Sequence, residues 1–462
     1  MPINTKHVHT SGSTLFYHPY YAMQPRLRVA ISGGGIGGMS LAVALSRYPD
    51  IEVAVYEAAE SLCEVGAGVM LWGRTWRILT LLGLDTAFRE LAGAPGSGSE
   101  DPQFNWTYRR SDGGCQGRYV HKLTLPSCSM YNYHRAHVLE LLARMLPERV
   151  INLGKRVVAY HIQGNSDITI MFADGSTTSC DVLVGCDGIK SIVRRCMFEK
   201  LSENGHPEMR NYIEPIWTGE ILFRALIPSD RVPKLQDGQE HPVLRDPIMY
   251  CGTNKHFMAY PIAKGKWANI GGFSTNSEAF DTPYREAWVQ EASPEELLGV
   301  FSGWETELQA VLKVVEKPTK WAVHQLRPLP TYTSGQVVLL GDAAHAMTTH
   351  HAAGAGQALE DAYILAGLLG HSSVTRGNSH LALKAYELIR RPFATEVMGR
   401  SLKTGSLYEF RASGLDDDST TWASALHEQF VWVYSEDPQV QLERGMKWME
   451  EKQGDVTVQS RL

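Results

Sequence analysis

The sequence predicts an α/β fold: a Rossmann-like nucleotide-binding domain, an antiparallel-sheet domain inserted into it, and a helical C-terminal region. Three observations predict this. A glycine-rich loop, Gly33 to Gly38, follows the apolar run Leu27 to Ile31. A second loop, Gly341-Asp342-Ala343-Ala344-His345-Ala346, follows Val337 to Leu340 much later in the chain. Between residues 211 and 321, strand-like segments recur with turns between them and no crossover helices. A lone Gly-x-Gly-x-x-Gly says little. Paired with a late Gly-Asp loop that opens a second helix, it implies one long dinucleotide, with its adenine end at the first loop and its flavin end at the second.

The first loop sits between a buried strand, Leu27 to Ile31, and an apolar helix, Met39 to Leu45. Gly33 permits the tight turn. Gly35 lets backbone approach a pyrophosphate, whose charge favours a helix N-terminus, and Gly38 allows close helix–sheet packing. The strand Glu52 to Tyr56 ends in Glu57, 19 residues after Gly38, near the spacing for a carboxylate that binds the adenosine ribose hydroxyls.

Further along, Met70 to Leu82 reads as a helix stopped by Gly83, and residues 92–103 as a Gly/Pro/Ser-rich loop. Residues 104–123 form a hairpin pattern around Asp112-Gly113-Gly114, and Arg135 to Met145 a helix. Residues 156–184 hold three strand-like stretches, broken at Gly164-Asn165 and Asp174-Gly175; the last runs into Gly185-Cys186-Asp187-Gly188. The inserted sheet contains Ile221 to Ile227, Ile248 to Tyr250, Phe257 to Pro261 and Trp267 to Phe273. Residues 285–315 and 357–411 read as helical; the tail is acidic, then aromatic, then amphipathic. The expected domains are a disordered extension (1–25), the nucleotide-binding domain (26–210 and 322–372), a substrate domain (211–321) and a C-terminal helical region (373–462).

A formal net charge of −6, without a basic stripe, argues against nucleic acid as a partner. Seven cysteines without a Cys-x-x-Cys pair indicate neither a zinc site nor a redox pair, and no metal is expected. Unpaired thiols fit a cytoplasmic protein. No signal peptide and no membrane span are expected.

The motifs Gly33 to Gly38, Asp187-Gly188 and Gly341-Asp342, in that order, resemble those of the group A flavoprotein aromatic hydroxylases, a class that includes para-hydroxybenzoate hydroxylase and salicylate hydroxylase. The resemblance spans residues 26–410. Its most specific stretch is GDAAHAMTTHHAAGAGQALEDA, in which Thr349 and His351-Ala352 stand where the family usually has proline and Gln-Gly. The segment CEVGAGVMLWGRTWRILTLLGL resembles fungal salicylate- and hydroxybenzoate-1-hydroxylase-like members. In it, Gly68 and Arg74 are cofactor-site candidates, and Arg74 stands where other relatives carry asparagine. The resemblance gives Arg135 a reach to the cofactor, Asp342 a ribityl hydroxyl, and the Ala353-Gly354-Ala355-Gly356 run, Ala355 included, backbone donors at a helix N-terminus. Asp187 and Gly188 then assist both FAD and NAD(P)H; Arg194, on the next helix, either joins them or is a solvated charge.

The implied chemistry is reduction of FAD by NAD(P)H, addition of molecular oxygen to give a flavin C4a-hydroperoxide, and attack on it by an electron-rich ring. A small aromatic substrate is the expected partner, bound as its phenolate. Arg224, Tyr250 and Tyr260 on the inserted sheet are the catalytic candidates: the arginine for a carboxylate or phenolate, the tyrosines for a phenolic oxygen. His256, beside Lys255 and after Gly252, reads as a surface turn, and at least one of His350 and His351 is expected to face the ring or pocket. The aromatic tail from Trp422 covers the pocket, makes a homodimer contact or packs on the flavin domain. The favoured reaction is decarboxylative hydroxylation, at carbon 1, of 4-hydroxybenzoate (plain or prenylated) or salicylate, to a hydroquinone or catechol. The alternatives are ring hydroxylation, dearomatisation or epoxidation of a polyketide phenol or alkene in fungal secondary metabolism, and a non-catalytic flavin-binding module.

Overall fold

A computed structural model of the chain describes residues 24–62, 68–92, 103–115, 117–163, 167–262, 265–412, 414 and 419–459. The expected extension 1–25 falls almost wholly outside these residues, as do most of the 92–103 loop, the Gly164-Asn165 turn and the acidic start of the tail.

The first sheet has six strands. Ile151–Asn152, Ile51–Tyr56, Leu27–Ser32, Val182–Gly185 and Val337–Leu339 run parallel in that spatial order, and Thr333–Ser334 adds an antiparallel edge. Its central strands are apolar without alternation because both faces are covered: Val29, Ile31, Leu183, Val184 and Val338 are all buried. Helices Ile36–Leu45 and Gly354–Gly370 begin beside the C-terminal ends of these strands and pack together. The expected last stretch of 156–184 divides at Asp181. Thr177–Cys180 joins a three-stranded sheet with Val157–Gln163 and Asp167–Phe172, while Val182–Gly185 enters the parallel sheet. The Asp181 carboxylate, buried at that corner, pairs with Arg28 at 2.7 Å.

The second sheet has nine strands, in the order Val289–Glu291, Thr319–Gln325, Ile216–Pro228, Trp267–Thr275, Lys255–Ile262, Ile248–Gly252, Gln103–Arg110, Arg118–His134 and Gly68–Trp72. All neighbours are antiparallel except Ile248–Gly252 with Gln103–Arg110. The 211–321 substrate domain was therefore drawn too narrowly, because three strands that close the sheet come from before residue 135. The Met70 to Leu82 helix is likewise corrected. Gly68–Trp72 is a strand, paired with the 130–134 end of its neighbour, and the helix is Gly73–Leu81. Cross-strand pairing outweighs helical propensity where Val69, Leu71 and Trp72 are buried.

The 285–315 region holds two short helices, Pro294–Val300 and Thr306–Leu312, whose Leu297, Leu308 and Val311 cover one face of the large sheet. Ser293 starts the first by accepting from the Glu296 N–H at 3.1 Å, with proline at the first helical position. The 357–411 pattern is two helices, Gly354–Gly370 and Ser379–Tyr408. The tail adds Ser419–Gln429 and Pro438–Gln459; the latter packs on both of those helices. Among the described residues no helix is long and apolar enough to cross a membrane.

Candidate active site

The uncovered face of the nine-stranded sheet meets the C-terminal ends of the parallel strands along one continuous cleft. At its outer end lie Gly33, Gly35, Glu57, Asp187 and Gly188, with Lys155 and Lys190. Gly33 has φ +109°, and a Cβ there would sit 2.3 Å from the Cys186 carbonyl oxygen. A Cβ on Gly38 would lie 2.1 Å from the Gly33 oxygen. Gly35 differs: a Cβ there would meet nothing within 4 Å, so its backbone faces open cleft at the start of helix Ile36–Leu45. Glu57 is held rigidly, accepting from the Gly34 N–H at 2.6 Å and the Ala59 N–H at 2.8 Å.

Asp187 borders this compartment, but its carboxylate caps helix Ile192–Glu203. It accepts from the Ile192 and Val193 N–H groups at 2.8 and 3.1 Å and from the Ser191 hydroxyl. Burial pushes its pKa up. Arg194 is not a solvated charge. It is buried and donates to the carbonyls of Ile213, Ile189 and Ala343, tying this helix to the second loop. Burial pulls its pKa down to about 10.

The middle compartment is lined by Gly68, Arg135, Gly341, Asp342, Ala355, Arg224 and Tyr260, and Arg135 borders the outer compartment as well. Gly341 has φ +61°, and its N–H donates to Asp361 at 3.0 Å. Asp361 also receives His345 at 2.6 Å and Arg390 at 2.7 Å. Burial opposes its charge, but these partners prevail and hold its pKa down at about 2. Helix Gly354–Gly370 has no side-chain cap, which leaves its first-turn amides open towards the cleft. Glycine-tight backbone, an open Gly35 amide and two helix N-termini along one cleft fit an extended dinucleotide.

Two expected site residues are placed elsewhere. Arg74 is buried and makes a bidentate pair with Glu360, both bonds at 2.9 Å, while its third nitrogen donates to the carbonyls of Ser435 and Glu436. It binds the tail, not the cofactor cleft. Tyr250 points through the sheet to the opposite side, where its hydroxyl donates to Glu307 at 3.0 Å. Strand alternation explains this: His256, Met258 and Tyr260 share the cleft face, and Tyr250 pairs with Phe257 on the other.

Beyond the middle compartment lies an inner cavity walled by Trp72, Trp106, Tyr108, Phe273, Tyr408 and Phe430 with three methionines. Met70, Met258, Tyr260, Thr349 and Ala352 border both spaces. Arg224 lines only the middle one, its guanidinium 5.7 Å from the Trp321 ring. The tail contributes Phe430 to the wall of the inner cavity.

Sequence reasoning misjudged His256. It is buried, stacks on Phe273 at 4.2 Å and donates from Nδ1 to Glu409 at 2.9 Å. Burial lowers the pKa of His256. Burial works to raise that of Glu409, but the bonds from His256 and Thr275 and the nearby Arg411 outweigh it, leaving about 2. His350 faces the same cavity and donates from Nε2 to both Glu220 oxygens at 3.2 Å. Glu220 and Glu409 were not anticipated. The available signal was parity: His256 lies four residues before Tyr260, on the same strand face.

The FAD binding domain family model matches residues 26–217 and 288–401. Salicylate hydroxylase from Pseudomonas putida is 37% identical over 420 residues, covering 90% of this chain and 93% of that protein. The 6-methylsalicylate 1-monooxygenase of Aspergillus terreus is 32% identical over 433 residues, covering 89% of this chain and 90% of its own. A solved salicylate hydroxylase substrate complex superimposes with a TM-score of 0.79 at 31% identity, covering 91% of this chain and 98% of the other.

Proposed function

This chain belongs to the group A FAD-dependent aromatic monooxygenases, and on that premise we propose that it hydroxylates a hydroxybenzoate at carbon 1 with loss of carbon dioxide. The balanced reaction converts the carboxylate anion, molecular oxygen, NAD(P)H and two protons into a catechol or hydroquinone, carbon dioxide, water and NAD(P)⁺. When bound, FAD supplies the hard chemistry, taking a hydride from NAD(P)H and activating oxygen. The residues that would hold it are those lining the cleft: the backbone at Gly33, Gly35 and Gly341, with Glu57, Arg135 and Asp342 and the amides at Ala355.

The observation that carries the reading is the inner cavity. Its walls are largely aromatic rings, against which a planar aromatic substrate can pack, and it joins the flavin compartment through Thr349, Ala352 and Tyr260. Its histidines can meet a phenolic oxygen and a carboxylate, while Arg224 stands one compartment outward, where an entering anion passes. The relatives named for salicylate and 6-methylsalicylate support a carboxylated phenol.

The test is NAD(P)H consumption by the FAD-bound protein with salicylate, 6-methylsalicylate, 4-hydroxybenzoate and its 3-prenyl derivative, with trapped carbon dioxide and products weighed by mass spectrometry. Stoichiometric carbon dioxide with a catechol or hydroquinone is expected. Stimulation only by phenols without a carboxylate would move the reading to ring hydroxylation of a polyketide phenol.

A further inference from the structure

Two groups of side chains with different chemistry wall the inner cavity. His256, Phe273, Tyr408 and His350 form the first: the His256 ring stacks on Phe273 at 4.2 Å and lies 5.3 Å from the Tyr408 ring. Behind this group stand two buried acids, Glu409 on His256 and Glu220 on His350. Trp72, His351 and Phe430 form the second group. The Phe430 ring lies 4.5 Å from that of His351 and 5.8 Å from that of Trp72, and Trp432 meets Trp72 edge-on at 5.9 Å. Met70, two residues before Trp72 and on the same strand face, adds a flexible thioether.

Hydrogen-bond inventory separates the two. In the second group the side-chain polar atoms are all engaged inside the protein. The Trp72 indole donates to the His351 carbonyl at 2.9 Å, His351 Nδ1 accepts from Trp432 at 3.2 Å, and His351 Nε2 meets the Thr404 hydroxyl at 2.7 Å. This leaves ring carbon and the Phe430 ring towards the cavity. A hydroxyl, amine or carboxylate pressed there loses its water and gains no partner, whereas hydrogen or an alkyl group loses nothing. The first group keeps polar capacity, because His256 Nε2 makes no hydrogen bond among the described residues. The turn Thr349–His351 straddles both groups, with His350 in the first and His351 in the second, and Thr349 and Ala352 border the flavin compartment. A hydroxybenzoate whose carbon 1 faces that opening therefore has one flank against each group.

We propose that Phe430, carried in by the C-terminal tail, determines which substituted hydroxybenzoates are accepted: the flank bearing the hydroxyl lies against the His256 group, and the opposite flank lies against Phe430 and Trp72, where only hydrogen or a short alkyl group fits. The substrate class is then the 2-hydroxybenzoates with hydrogen or a short alkyl group at carbon 5 or 6. Phe430 is held firmly enough to set a size limit. It is buried at the end of helix Ser419–Gln429, and its N–H donates to the His427 carbonyl at 3.1 Å. Eight residues before it, the Trp422 indole donates to the Leu407 carbonyl at 3.0 Å; two residues after it, Trp432 is fastened to His351. The tail is thus pinned on both sides of the one ring it places in the cavity wall. Truncating that ring opens space on the apolar flank alone.

The inference rests on the decarboxylative reading, and a substrate series tests it apart from that reading. Salicylate and its 5-methyl, 5-propyl and 5-hydroxy derivatives are compared on the FAD-bound protein, by dissociation constant from the flavin absorbance change and by kcat/KM with carbon dioxide trapped. The wild type is expected to bind the 5-methyl compound about tenfold or more tightly than the 5-hydroxy compound. In Phe430→Ala the kcat/KM ratio of 5-propyl to 5-methyl is expected to rise about tenfold or more, and in Phe430→Leu to rise by less. A ratio taken within one variant does not depend on how much of it folds, and a merely structural role for Phe430 lowers all four substrates alike. An unchanged ratio in both variants, or equal affinity for the 5-methyl and 5-hydroxy compounds, overturns the inference, while carbon dioxide release from salicylate in the same assays leaves the reaction standing. Failure of every carboxylated phenol to turn over removes the reaction and the inference with it.

Discussion

The indole N–H of Trp432 donates to Nδ1 of His351 across 3.2 Å, fastening the C-terminal tail to the turn that borders both the flavin compartment and the inner cavity. The other His351 nitrogen meets the Thr404 hydroxyl at 2.7 Å, and its carbonyl accepts from the Trp72 indole at 2.9 Å. Every polar group of this buried residue is therefore engaged, and burial pulls its pKa down to about 3. Trp432→Phe leaves Nδ1 without a donor and is expected to cost about 1–3 kcal/mol, read from urea midpoints.

The same residue makes stability depend on pH in a defined direction. The folded pKa of His351 lies below its unfolded value of 6.5, so the unfolded chain binds more protons in that interval. The stability contribution is complete above pH 6.5 and is lost progressively as pH falls towards 3. His351→Gln, whose amide can accept from Trp432 and donate to Thr404, removes this titration. The variant is expected to lose less stability than the wild type between pH 7 and pH 4.5; parallel denaturation curves at the two pH values decide it.

Arg74 supplies a second link from tail to flavin loop. It pairs with Glu360, which pairs with Arg390, which pairs with Asp361, the acceptor for the Gly341 N–H. Arg74→Ala strands part of a buried carboxylate and releases the carbonyls of Ser435 and Glu436, so a loss of about 3–5 kcal/mol is expected. Cleavage of the tail under limited proteolysis should rise as well. Because Arg74 lies outside the cleft, the folded variant should bind FAD with wild-type affinity; a normal melting temperature with weakened FAD would restore it as a cofactor ligand.

Tyr250 and Tyr260 should part company in kinetics. Tyr250→Phe removes one bond to Glu307, which keeps Arg109 at 3.0 and 3.1 Å, so a stability loss of about 1 kcal/mol with unchanged kcat/KM is expected. Tyr260 borders both the middle compartment and the inner cavity, and Tyr260→Phe is expected to raise KM for the aromatic substrate. Steady-state assays of the two variants side by side check the pair.

These corrections show where local sequence reasoning ends. The two loops were legible because a tight turn, a close backbone approach and a helix start each demand particular residues within a few positions of one another. Tyr250 was misplaced because its strand, Ile248–Gly252, is buried on both faces, so polarity does not mark which way each side chain points. The partners of His256 and His350 lie 153 and 130 positions away in the chain, beyond any periodicity. Arg74 looked like a cofactor residue because it lies in the segment CEVGAGVMLWGRTWRILTLLGL, which resembles the family. What turns it away is an acid on helix Gly354–Gly370 and two carbonyls near residue 435.

Gly35 and Gly38 offer a test of the cofactor site in which fold and binding separate. A Cβ at Gly38 would lie 2.1 Å from the Gly33 oxygen and 3.2 Å from the Ile31 side chain, so Gly38→Ala must push helix Ile36–Leu45 off the sheet. Lower melting temperature and loss of FAD together are expected. A Cβ at Gly35 meets no protein atom within 4 Å, so Gly35→Ala leaves the apoprotein fold undisturbed. The space it fills is the approach to the first-turn amides, where a pyrophosphate would lie. Gly35→Ala should therefore melt like the wild-type apoprotein yet bind FAD at least tenfold more weakly, measured by titration of flavin fluorescence. Equal FAD affinity in that variant would mean that the dinucleotide does not pass over Gly35.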